Sequence, residues 1–490
     1  MRQKKLILTV VDSLQPAALE KYLGRGSVPA FDFLVQNGFY HRDCVSSFPT
    51  MTPTASAAIA TGCGPGEHLV PGFVWYDRER KEHINYGATL AAILKLGPCQ
   101  VLENLLYRLN DTHLGKKVST IYELLAAQGI TSACYNFFIY RGNKEQEVVI
   151  PLSLKLSSLF QLSSRKLFGP DQLILGKLTK RGAQIPWFWK SPFQKLGVND
   201  TFVSEALKWD VENGRQADFS LVYFPDTDHF IHVHNTSGYK KSIIRVDRQL
   251  QKVLNCFSSW AQALEENVIM LCGDHAQSDI GSKKEALINL DHILSDFPRM
   301  GLRDRAETGK EIVVCCNERM AAVEILKDSE IVRDQVIAKL LPDKRIELIM
   351  WHKDGRYFVR QGGSERMLSF APGEDIRDNW GAAWNIDGDI SALNGEIKEG
   401  IFYSDDFPDA LTRIKQALDC RVGMRILLSA VPGCEFLSEA APVHPNGGSH
   451  GSIHRVDSLV PLIISGSDQD LNKPRIYDIK EYILNHFNRR

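Results

Sequence analysis

The stretch Leu6-Ile7-Leu8-Thr9-Val10-Val11-Asp12 decides the fold, because it joins a buried strand to a polar side chain at its end. Its apolar residues do not alternate with polar ones, which is typical of a strand covered on both faces. Asp12 follows at the point where the carboxyl end of such a strand opens toward a ligand. The stretch therefore predicts a buried parallel strand with a candidate functional residue after it.

Similar strand-like runs recur along the chain and alternate with helix-like segments. The capping-box pattern T-x-x-E at Thr120 predicts a helix that ends at Gln128-Gly129, and residues 242–260 form an amphipathic pattern. The further predicted strands of the core are Ile130–Phe137, Phe219–Phe224, Asn267–Cys272, Met424–Ser429 and Leu459–Ser465. This order predicts an α/β fold with a mostly parallel central sheet and helices on both faces.

Two stretches interrupt the alternation. Residues 144–200 are irregular, rich in Ser, Pro and Trp, and locally basic. Residues 300–395 have a helix pattern near 331–340 and strand patterns of their own, namely Glu311–Val314, Ala322–Leu326, Glu347–Trp351 and Tyr357–Arg360. We therefore predict a core of residues 1–299 and 396–490, with the irregular insert at 144–200, and a small inserted α+β cap at 300–395.

Composition excludes some classes of partner and predicts a compartment. The 58 Lys and Arg residues balance 59 Asp and Glu residues, so no nucleic acid partner is expected. No apolar run approaches the roughly 20 residues of a membrane helix, and the run after Lys5 is too short for a signal peptide. The ten cysteines form no C-x-x-C pair, which favours free thiols and a cytoplasmic location. The oligomeric state is not indicated.

Carboxylates and imidazoles follow several of the predicted strands. Each has an ordinary alternative: an Asp after a strand is commonly a turn or cap residue, and an i, i+4 Asp/His pair can be a surface pair. The residues are Asp12, Asp228 with His232, Asp274 with His275, and His450 within Gly447-Gly448-Ser449-His450-Gly451. Because they reach four strand ends, they predict a site for Zn²⁺, or for Mn²⁺ or Fe.

The segment from Phe48 to Gly62 predicts a helix with a threonine at its start. It reads Phe48-Pro49-Thr50-Met51-Thr52-Pro53-Thr54-Ala55-Ser56-Ala57-Ala58-Ile59-Ala60-Thr61-Gly62. Pro53 suits the first helical position and Gly62 a left-handed stop, which places Thr52 at the N-cap. Thr52 is then either a capping residue or a nucleophile, because helix N–H groups bind phosphate oxygens and a metal ion lowers a hydroxyl pKa.

These segments, in this order, resemble the type I phosphodiesterase/nucleotide pyrophosphatase branch of the alkaline phosphatase superfamily. The nucleophile motif P-T-x-T is matched by Pro49-Thr50-Met51-Thr52, followed by Thr61-Gly62. The resemblance implies an alkaline phosphatase-like fold and two divalent metal ions, Zn first, about 4 Å apart. It assigns one ion to Asp228, His232 and His450 and the other to Asp12, Thr52, Asp274 and His275, with Thr52 as the catalytic nucleophile that forms a phosphothreonine.

Two departures and one ambiguity bear on these assignments. Family diesterases often place Asn after the Gly of H-G-I-x-G-N, and this chain has Phe73 there. Ala276 replaces the usual Gly after the Asp-His pair. Asp226 is the alternative to Asp228 as the metal ligand, because it lies two residues earlier in the same histidine-rich run.

The expected substrate is a small-molecule phosphodiester or nucleotide pyrophosphate. Alternatives on the same site are a phosphomonoesterase and a phosphonate hydrolase; a non-catalytic metal-binding scaffold is the alternative outside enzymes. A sulfatase is not favoured, because Cys63-Gly64-Pro65-Gly66-Glu67 has Glu67 where C-x-P-x-R needs Arg. Trp187, Phe188 and Trp189 are candidates for contacting a leaving group, and residues 152–168 for a membrane-surface role.

Overall fold

The computed structural model describes residues 3–151, 155–156, 165–179, 185–304 and 307–488. The predicted membrane-surface segment, residues 152–168, lies largely outside the described residues. None of the helices in these ranges has the length and apolarity that crossing a membrane requires. All ten cysteines lie within them and are free thiols.

A seven-stranded sheet forms the centre of the molecule. Its strands, in spatial order, are Gly38–Val45, Leu459–Ser465, Asn267–Gly273, Lys5–Val11, Phe219–Phe224, Ser132–Tyr135 and Gln172–Ile174. The five from Asn267–Gly273 to Gln172–Ile174 are parallel, while the two at the other edge are antiparallel to their neighbours. The predicted mostly parallel sheet is confirmed.

Helices cover both faces of this sheet, as the lack of alternation in Leu6–Val11 predicts. Leu6, Leu8 and Val10 belong to one hydrophobic cluster, while Ile7 and Val11 belong to the cluster on the opposite face. The first face carries the helices Thr52–Thr61, Ile121–Ala127 and Asp478–Asn488. The second face carries Pro16–Glu20, Pro29–Gln36, Asp200–Glu212, Tyr239–Leu254 and Trp260–Glu266.

Several sequence-based bounds shift. The helix after Thr120 spans Ile121–Ala127 and has the predicted capping box with Glu123. The predicted helix 242–260 is instead Tyr239–Leu254 followed by Trp260–Glu266, because Ser259 caps a new helix. Within the stretch predicted as irregular, Gln172–Ile174 pairs with the central sheet, and Lys144–Glu147 pairs with Lys166–Gly169.

A second, nine-stranded sheet lies beside the first. Its strands are Ile312–Asn317, Met320–Ile325, Arg425–Ala430, Ile346–Lys353, Arg356–Gln361, Met367–Asp378, Ala383–Gly388, Ile401–Ser404 and Gly395–Lys398. The helices Glu330–Leu340 and Ala410–Leu418 pack on its two faces.

The placement of the strand predicted at Met424–Ser429 in the central sheet is wrong. Arg425–Ala430 lies between Met320–Ile325 and Ile346–Lys353 in the second sheet, antiparallel to both. An apolar run satisfies any buried strand position, so it does not indicate which sheet the strand joins. The second sheet therefore continues past residue 395, where the sequence-based cap ends.

Candidate active site

Asp12 and Asp274 come together because their strands are paired in register. Val11 lies opposite Gly273 in the parallel pair, so the residues that follow both strands meet at the same sheet edge. Nε2 of His275 is 3.4 Å from Oδ1 of Asp12 and 3.6 Å from Oδ2 of Asp274. We call Asp12, Thr52, Asp274 and His275 the buried group, since all four are buried.

The buried group has the chemistry of a cation site. Among the described residues, Oδ1 of Asp12 and Oδ2 of Asp274 have no hydrogen-bond partner, although both are buried and face His275. Burial, followed by repulsion from Asp274 and Asp228, raises the pKa of Asp12 well above its usual range. Burial also raises the pKa of Asp274 to about 7. A divalent ion between these oxygens would satisfy both and remove the cost of their burial.

Among the threonines of its motif, Thr52 is the one whose hydroxyl faces His275. Its Oγ1 lies 3.2 Å from Nε2 of His275. The Oγ1 of Thr50 instead donates to the carbonyl of Ser452 and accepts from the N–H of Gly451. Thr54 is buried on the same helix, and its Oγ1 has no partner among the described residues.

The helix begins one residue earlier than predicted. It spans Thr52–Thr61, with Met51 at the N-cap in extended conformation, and ends at Gly62 in left-handed conformation. Assignment of Thr52 as the N-cap is therefore wrong, and Pro53 occupies the second helical position rather than the first. The hydroxyl of Thr52, at the first helical position, faces His275.

Asp228, His232 and His450 form a second group at the mouth of a cleft, which we call the cleft group. Asp228 and His232 lie on the helix Asp226–His234, and the i, i+4 spacing puts both on one face. Oδ1 of Asp228 is 3.2 Å from Nε2 of His232 and 3.5 Å from Nε2 of His450. The rings of His275 and His450 stack at 3.8 Å, so the two groups are contiguous.

Hydrogen bonds orient both imidazoles of the cleft group toward its centre. Nδ1 of His232 is 2.8 Å from the carbonyl of Gly448, and Nδ1 of His450 is 2.7 Å from the carbonyl of Thr50. A backbone carbonyl accepts, so Nδ1 donates and Nε2 keeps its lone pair for a metal ion. A Cβ on Gly447 would lie 2.0 Å from the carbonyl oxygen of His232, so this loop requires glycine there.

The structure also separates Asp228 from Asp226. Asp226 and Asp200 each accept the other's backbone N–H, at 3.0 Å, away from the histidines. Asp228 accepts from Oγ of Ser13 at 2.8 Å and from Nε2 of Gln277 at 2.6 Å. Although burial would raise the pKa of Asp228, the imidazole of His232 next to it lowers that pKa well below the usual range.

Glu318 is a site residue that the sequence reasoning missed. Its Oε1 lies 3.8 Å from Nε2 of His232, and its Oε2 lies 3.5 Å from Nε2 of His450. Burial alone would raise the pKa of Glu318, but His450, His232 and His444 together lower it to about 2. Glu318 lies in a hairpin of the second sheet, and no motif marks it; only its position in a turn between two apolar strands could have been noted.

Within the described ranges, three sets of side chains have ligand atoms close enough to hold a metal ion. They are Asp12, Asp274 and His275; Asp228, His275 and His450; and His232, Glu318 and His450, with ligand atoms within 4.8 Å of one another in each set. The sets contain all six carboxylates and imidazoles predicted from the sequence, together with Glu318. Carboxylate and imidazole donors suit Zn²⁺, Mn²⁺ and Fe.

A cleft of about 310 Å³ opens beside Thr52 and the cleft group. Apolar side chains form part of its wall, including Phe73, Val74, Val233 and Pro442. Its other side chains with titratable groups are carboxyls, imidazoles and a thiol, and no Lys or Arg is among the described residues that line it. Phe188 and Trp189 pack against each other elsewhere, and neither lines this cleft.

Phe73 lies at this cleft where related diesterases often have Asn, and none of the described residues that line the cleft offers a free amide in its place. Asn317 is close, but its amide is bonded to the backbone of Val74 in both directions, at 2.9 and 2.8 Å. Asn317 therefore ties the hairpin of the second sheet to the segment after Phe73.

The family model described as Type I phosphodiesterase / nucleotide pyrophosphatase matches residues 6–367. Human ectonucleotide pyrophosphatase/phosphodiesterase 5 has a similar structure, with a TM-score of 0.57 at 13% identity over 99% of this chain and 95% of that one. Phosphonoacetate hydrolase from Sinorhizobium meliloti 1021, in complex with phosphonoacetate, gives 0.58 at 13% identity over 99% and 96%.

A murine ectonucleotide pyrophosphatase/phosphodiesterase 5 variant, in complex with AMP, gives a TM-score of 0.57 at 13% identity over 99% and 95%. It carries a threonine-to-alanine substitution and is described as inactive. No protein with a curated description matches this chain in sequence.

Proposed function

Because the chain belongs to the type I phosphodiesterase/nucleotide pyrophosphatase family, we propose that it cleaves a phosphodiester or nucleotide pyrophosphate with two metal ions and Thr52 as nucleophile. Membership of this family makes the chain a metal-dependent hydrolase of phosphoric esters. The finer proposal rests on one observation: Oγ1 of Thr52 lies 3.2 Å from Nε2 of His275, and Thr52 also lines the cleft beside the cleft group.

The residues of the site suit an in-line displacement at phosphorus. Ions held by the two groups would stabilise charge on the nonbridging oxygens and lower the pKa of the Thr52 hydroxyl. Thr52 attacks phosphorus, the bond to the leaving oxygen breaks, and water later releases the phosphoryl group from Thr52. Thr52 occupies the first helical position, so its N–H has no intrahelical acceptor and can hold a phosphoryl oxygen.

The cleft favours a diester over a monoester. A monoester dianion carries one more negative charge than a diester, and beyond the two ions the described lining offers it carboxylates but no Lys or Arg. The second ester group of a diester would contact the apolar wall formed by Phe73, Val74, Val233 and Pro442. Phosphonate hydrolysis is the second candidate, because phosphonoacetate hydrolase has the same fold.

The test compares hydrolysis of bis-p-nitrophenyl phosphate and p-nitrophenyl phosphate by zinc-loaded wild type and Thr52→Ala. We expect a diester preference in wild type and a loss of at least about 10³-fold in the variant, as for removal of a covalent nucleophile. A monoester preference that Thr52→Ala abolishes would keep the nucleophile and reassign the substrate. Equal activity in both proteins would refute the role of Thr52.

Thr54→Ala is the matched control. Thr54 lies two residues further along the same helix and is buried, and its hydroxyl has no hydrogen-bond partner in the described part of the chain. Its substitution removes the same atoms from the same helix without touching His275, so activity should stay within a few-fold of wild type.

The ions are proposed to be zinc, with Mn or Fe as alternatives, and the enzyme to act on a small molecule in the cytoplasm. The donor set of carboxylates and imidazoles supports the choice of metals. The ten free thiols agree with a reducing compartment. Metal analysis of protein purified from its source organism tests the first point, and fractionation of the cells tests the second.

A further inference from the structure

Glu318 reaches the cleft group from a different sheet than its other members. It follows the strand Ile312–Asn317 and precedes Met320–Ile325, in the turn of their hairpin. Its φ is +59°, a left-handed conformation that is uncommon for a residue with a Cβ. Strain of this kind persists where surrounding contacts impose it, and such positions cluster at functional sites.

The hairpin turn is held in place by contacts on both sides. The carbonyl of Glu318 accepts from the N–H of Phe436 at 2.7 Å, and the N–H of Arg319 donates to the carbonyl of His450 at 2.9 Å. The Arg319 side chain is fully buried and forms an ion pair with Asp457. The backbone of Glu318 is therefore fixed relative to the loop that carries His450.

Oε2 and Oε1 of Glu318 have different surroundings. Oε2 accepts from Oγ of Ser449 at 2.9 Å and from the N–H of His450 at 3.2 Å. Oε1 forms no hydrogen bond with the described residues and lies 3.8 Å from Nε2 of His232. The carboxylate thus presents one anchored oxygen and one free oxygen to the cleft group.

Asp228 and Glu318 lie against the same two imidazoles, at separations close to those between the ligands of a tetrahedral zinc ion. Ligands at about 2.0–2.2 Å from a tetrahedral Zn²⁺ lie about 3.3–3.6 Å from one another. Oδ1 of Asp228 is 3.2 Å from Nε2 of His232 and 3.5 Å from Nε2 of His450. For Glu318, Oε2 is 3.5 Å from Nε2 of His450 and Oε1 is 3.8 Å from Nε2 of His232. Asp228 and Glu318 belong to different sets of ligand atoms, so the Glu318 carboxylate has to turn toward Asp228 for all four side chains to reach one ion.

We propose that Glu318 is a fourth ligand of the ion at the cleft group and that a phosphoryl oxygen of the substrate displaces it. This proposal rests on the two-metal function proposed above. Four protein ligands close a tetrahedral site, whereas a catalytic ion needs an open position. Glu318 is the ligand to leave, because Nδ1 of both histidines and the carboxylate of Asp228 are held by hydrogen bonds and Oε1 of Glu318 is not.

The test uses Glu318→Gln, which keeps the shape and an acceptor oxygen for Ser449 and His450 but removes the charge. Ions bound per chain and their affinities are measured by competition with a chromophoric chelator for Zn²⁺. We expect wild type and variant both to bind two ions at saturation, with one ion bound at least about ten-fold more weakly in the variant. Equal affinities would show that Glu318 only positions His450 and would overturn the proposal.

Displacement is tested with the Co²⁺-loaded proteins and inorganic phosphate. The visible absorption of Co²⁺ reports coordination number and ligand exchange. We expect phosphate to change the spectrum of wild type, and at saturating Co²⁺ to bind Glu318→Gln more tightly, because it no longer competes with a carboxylate. Phosphate affinity that is unchanged or lower in Glu318→Gln would refute displacement.

Glu435→Gln is the control for loss of a buried charge nearby. Glu435 is fully buried and contacts His444 rather than the cleft group, so its substitution should leave both ion affinities unchanged. The two proposals fail differently. Wild type that binds fewer than two ions would contradict the two-metal function, whereas wild type that binds two ions with no effect of Glu318→Gln would contradict only the role of Glu318.

Discussion

The buried group and the cleft group differ in how the chain builds them. Asp12, Asp274 and His275 follow adjacent, register-paired strands of one sheet and are shut off from solvent. The cleft group combines a helix, a glycine-rich loop and, through Glu318, a hairpin of the second sheet. The buried group is therefore fixed by the sheet itself, while the cleft group depends on how two sheets meet at the cleft that receives substrate.

Among the changes that distinguish the two groups, removing one ion at a time should have the largest effect on activity. Asp274→Asn should abolish binding at the buried group, and His232→Ala should abolish binding at the cleft group. Each variant should bind one ion instead of two and lose at least about 10²-fold in kcat/KM, because each ion stabilises the transition state separately. Metal content after gel filtration and steady-state kinetics measure both. If either variant lost both ions, the two groups would not be independent.

The buried group and the cleft group also differ in how far the sequence predicts them. Asp12, Asp274 and His275 directly follow strands that are apolar enough to identify, so the structure brings them together as predicted. Asp228 and His232 share a helix face through their spacing. Glu318 could not be found in this way, because it depends on the second sheet meeting the loop of His450, and no local pattern encodes that contact.

The strands divide in the same way, because a local pattern identifies a buried strand but does not place it in a particular sheet. Runs such as Leu6–Val11 and Phe219–Phe224 identify central strands, because burial on both faces leaves a local signature. Arg425–Ala430 has the same signature but lies in the second sheet, since partner choice depends on long-range pairing. The start of the Thr52 helix was misplaced by one residue, because Pro is accepted at either of the first helical positions.

The buried ion pair between Arg319, the residue after Glu318, and Asp457 should stabilise the fold and support the cleft group. Arg319→Ala would leave Asp457 charged and buried, which costs about 3–5 kcal/mol. We expect a lower Tm of the metal-free protein and weaker binding of one ion, at the cleft group. Arg366→Ala, at an exposed position, is the control. An unchanged Tm would show that the pair does not stabilise the hairpin.

Protons should compete with the ion at the buried group as the pH falls. Burial raises the pKa of Asp274 from 3.8 to about 7 in the metal-free protein, so below pH 7 an incoming ion must displace a proton. In His232→Ala, which keeps the buried group alone, we expect weaker binding and more protons released at pH 6 than at pH 8. Calorimetry in buffers with different ionisation enthalpies measures the release.

The raised pKa of Asp274 also affects the stability of the metal-free protein. Its pH dependence is opposite to that of ion binding, because stability falls as the pH rises. The folded, metal-free protein binds the proton of Asp274 more tightly than the unfolded chain does, so this carboxyl lowers stability as the pH rises from about 4 to 7. Bound metal should remove that loss. In the calorimetry of His232→Ala, proton release that did not increase between pH 8 and pH 6 would contradict the raised pKa of Asp274.

The smallest expected effect concerns the apolar wall of the cleft. Phe73 lines the cleft and packs edge-on against Phe138 with ring centroids 6.0 Å apart. Phe73→Ala should raise KM for bis-p-nitrophenyl phosphate by roughly 2–10-fold and leave both ion affinities unchanged. Phe193→Ala, at a fully exposed phenylalanine, is the control. A change in metal affinity would show that Phe73 supports the ion sites rather than the substrate.

The proposed two-metal function requires one ion in each group. Anomalous diffraction from crystals grown with Zn²⁺, recorded at its absorption edge, would locate the ions directly. We predict two peaks: one between Asp12, Asp274 and His275, beside Thr52, and one between Asp228, His232 and His450, in contact with Glu318. A single peak, or peaks away from these side chains, would contradict the account.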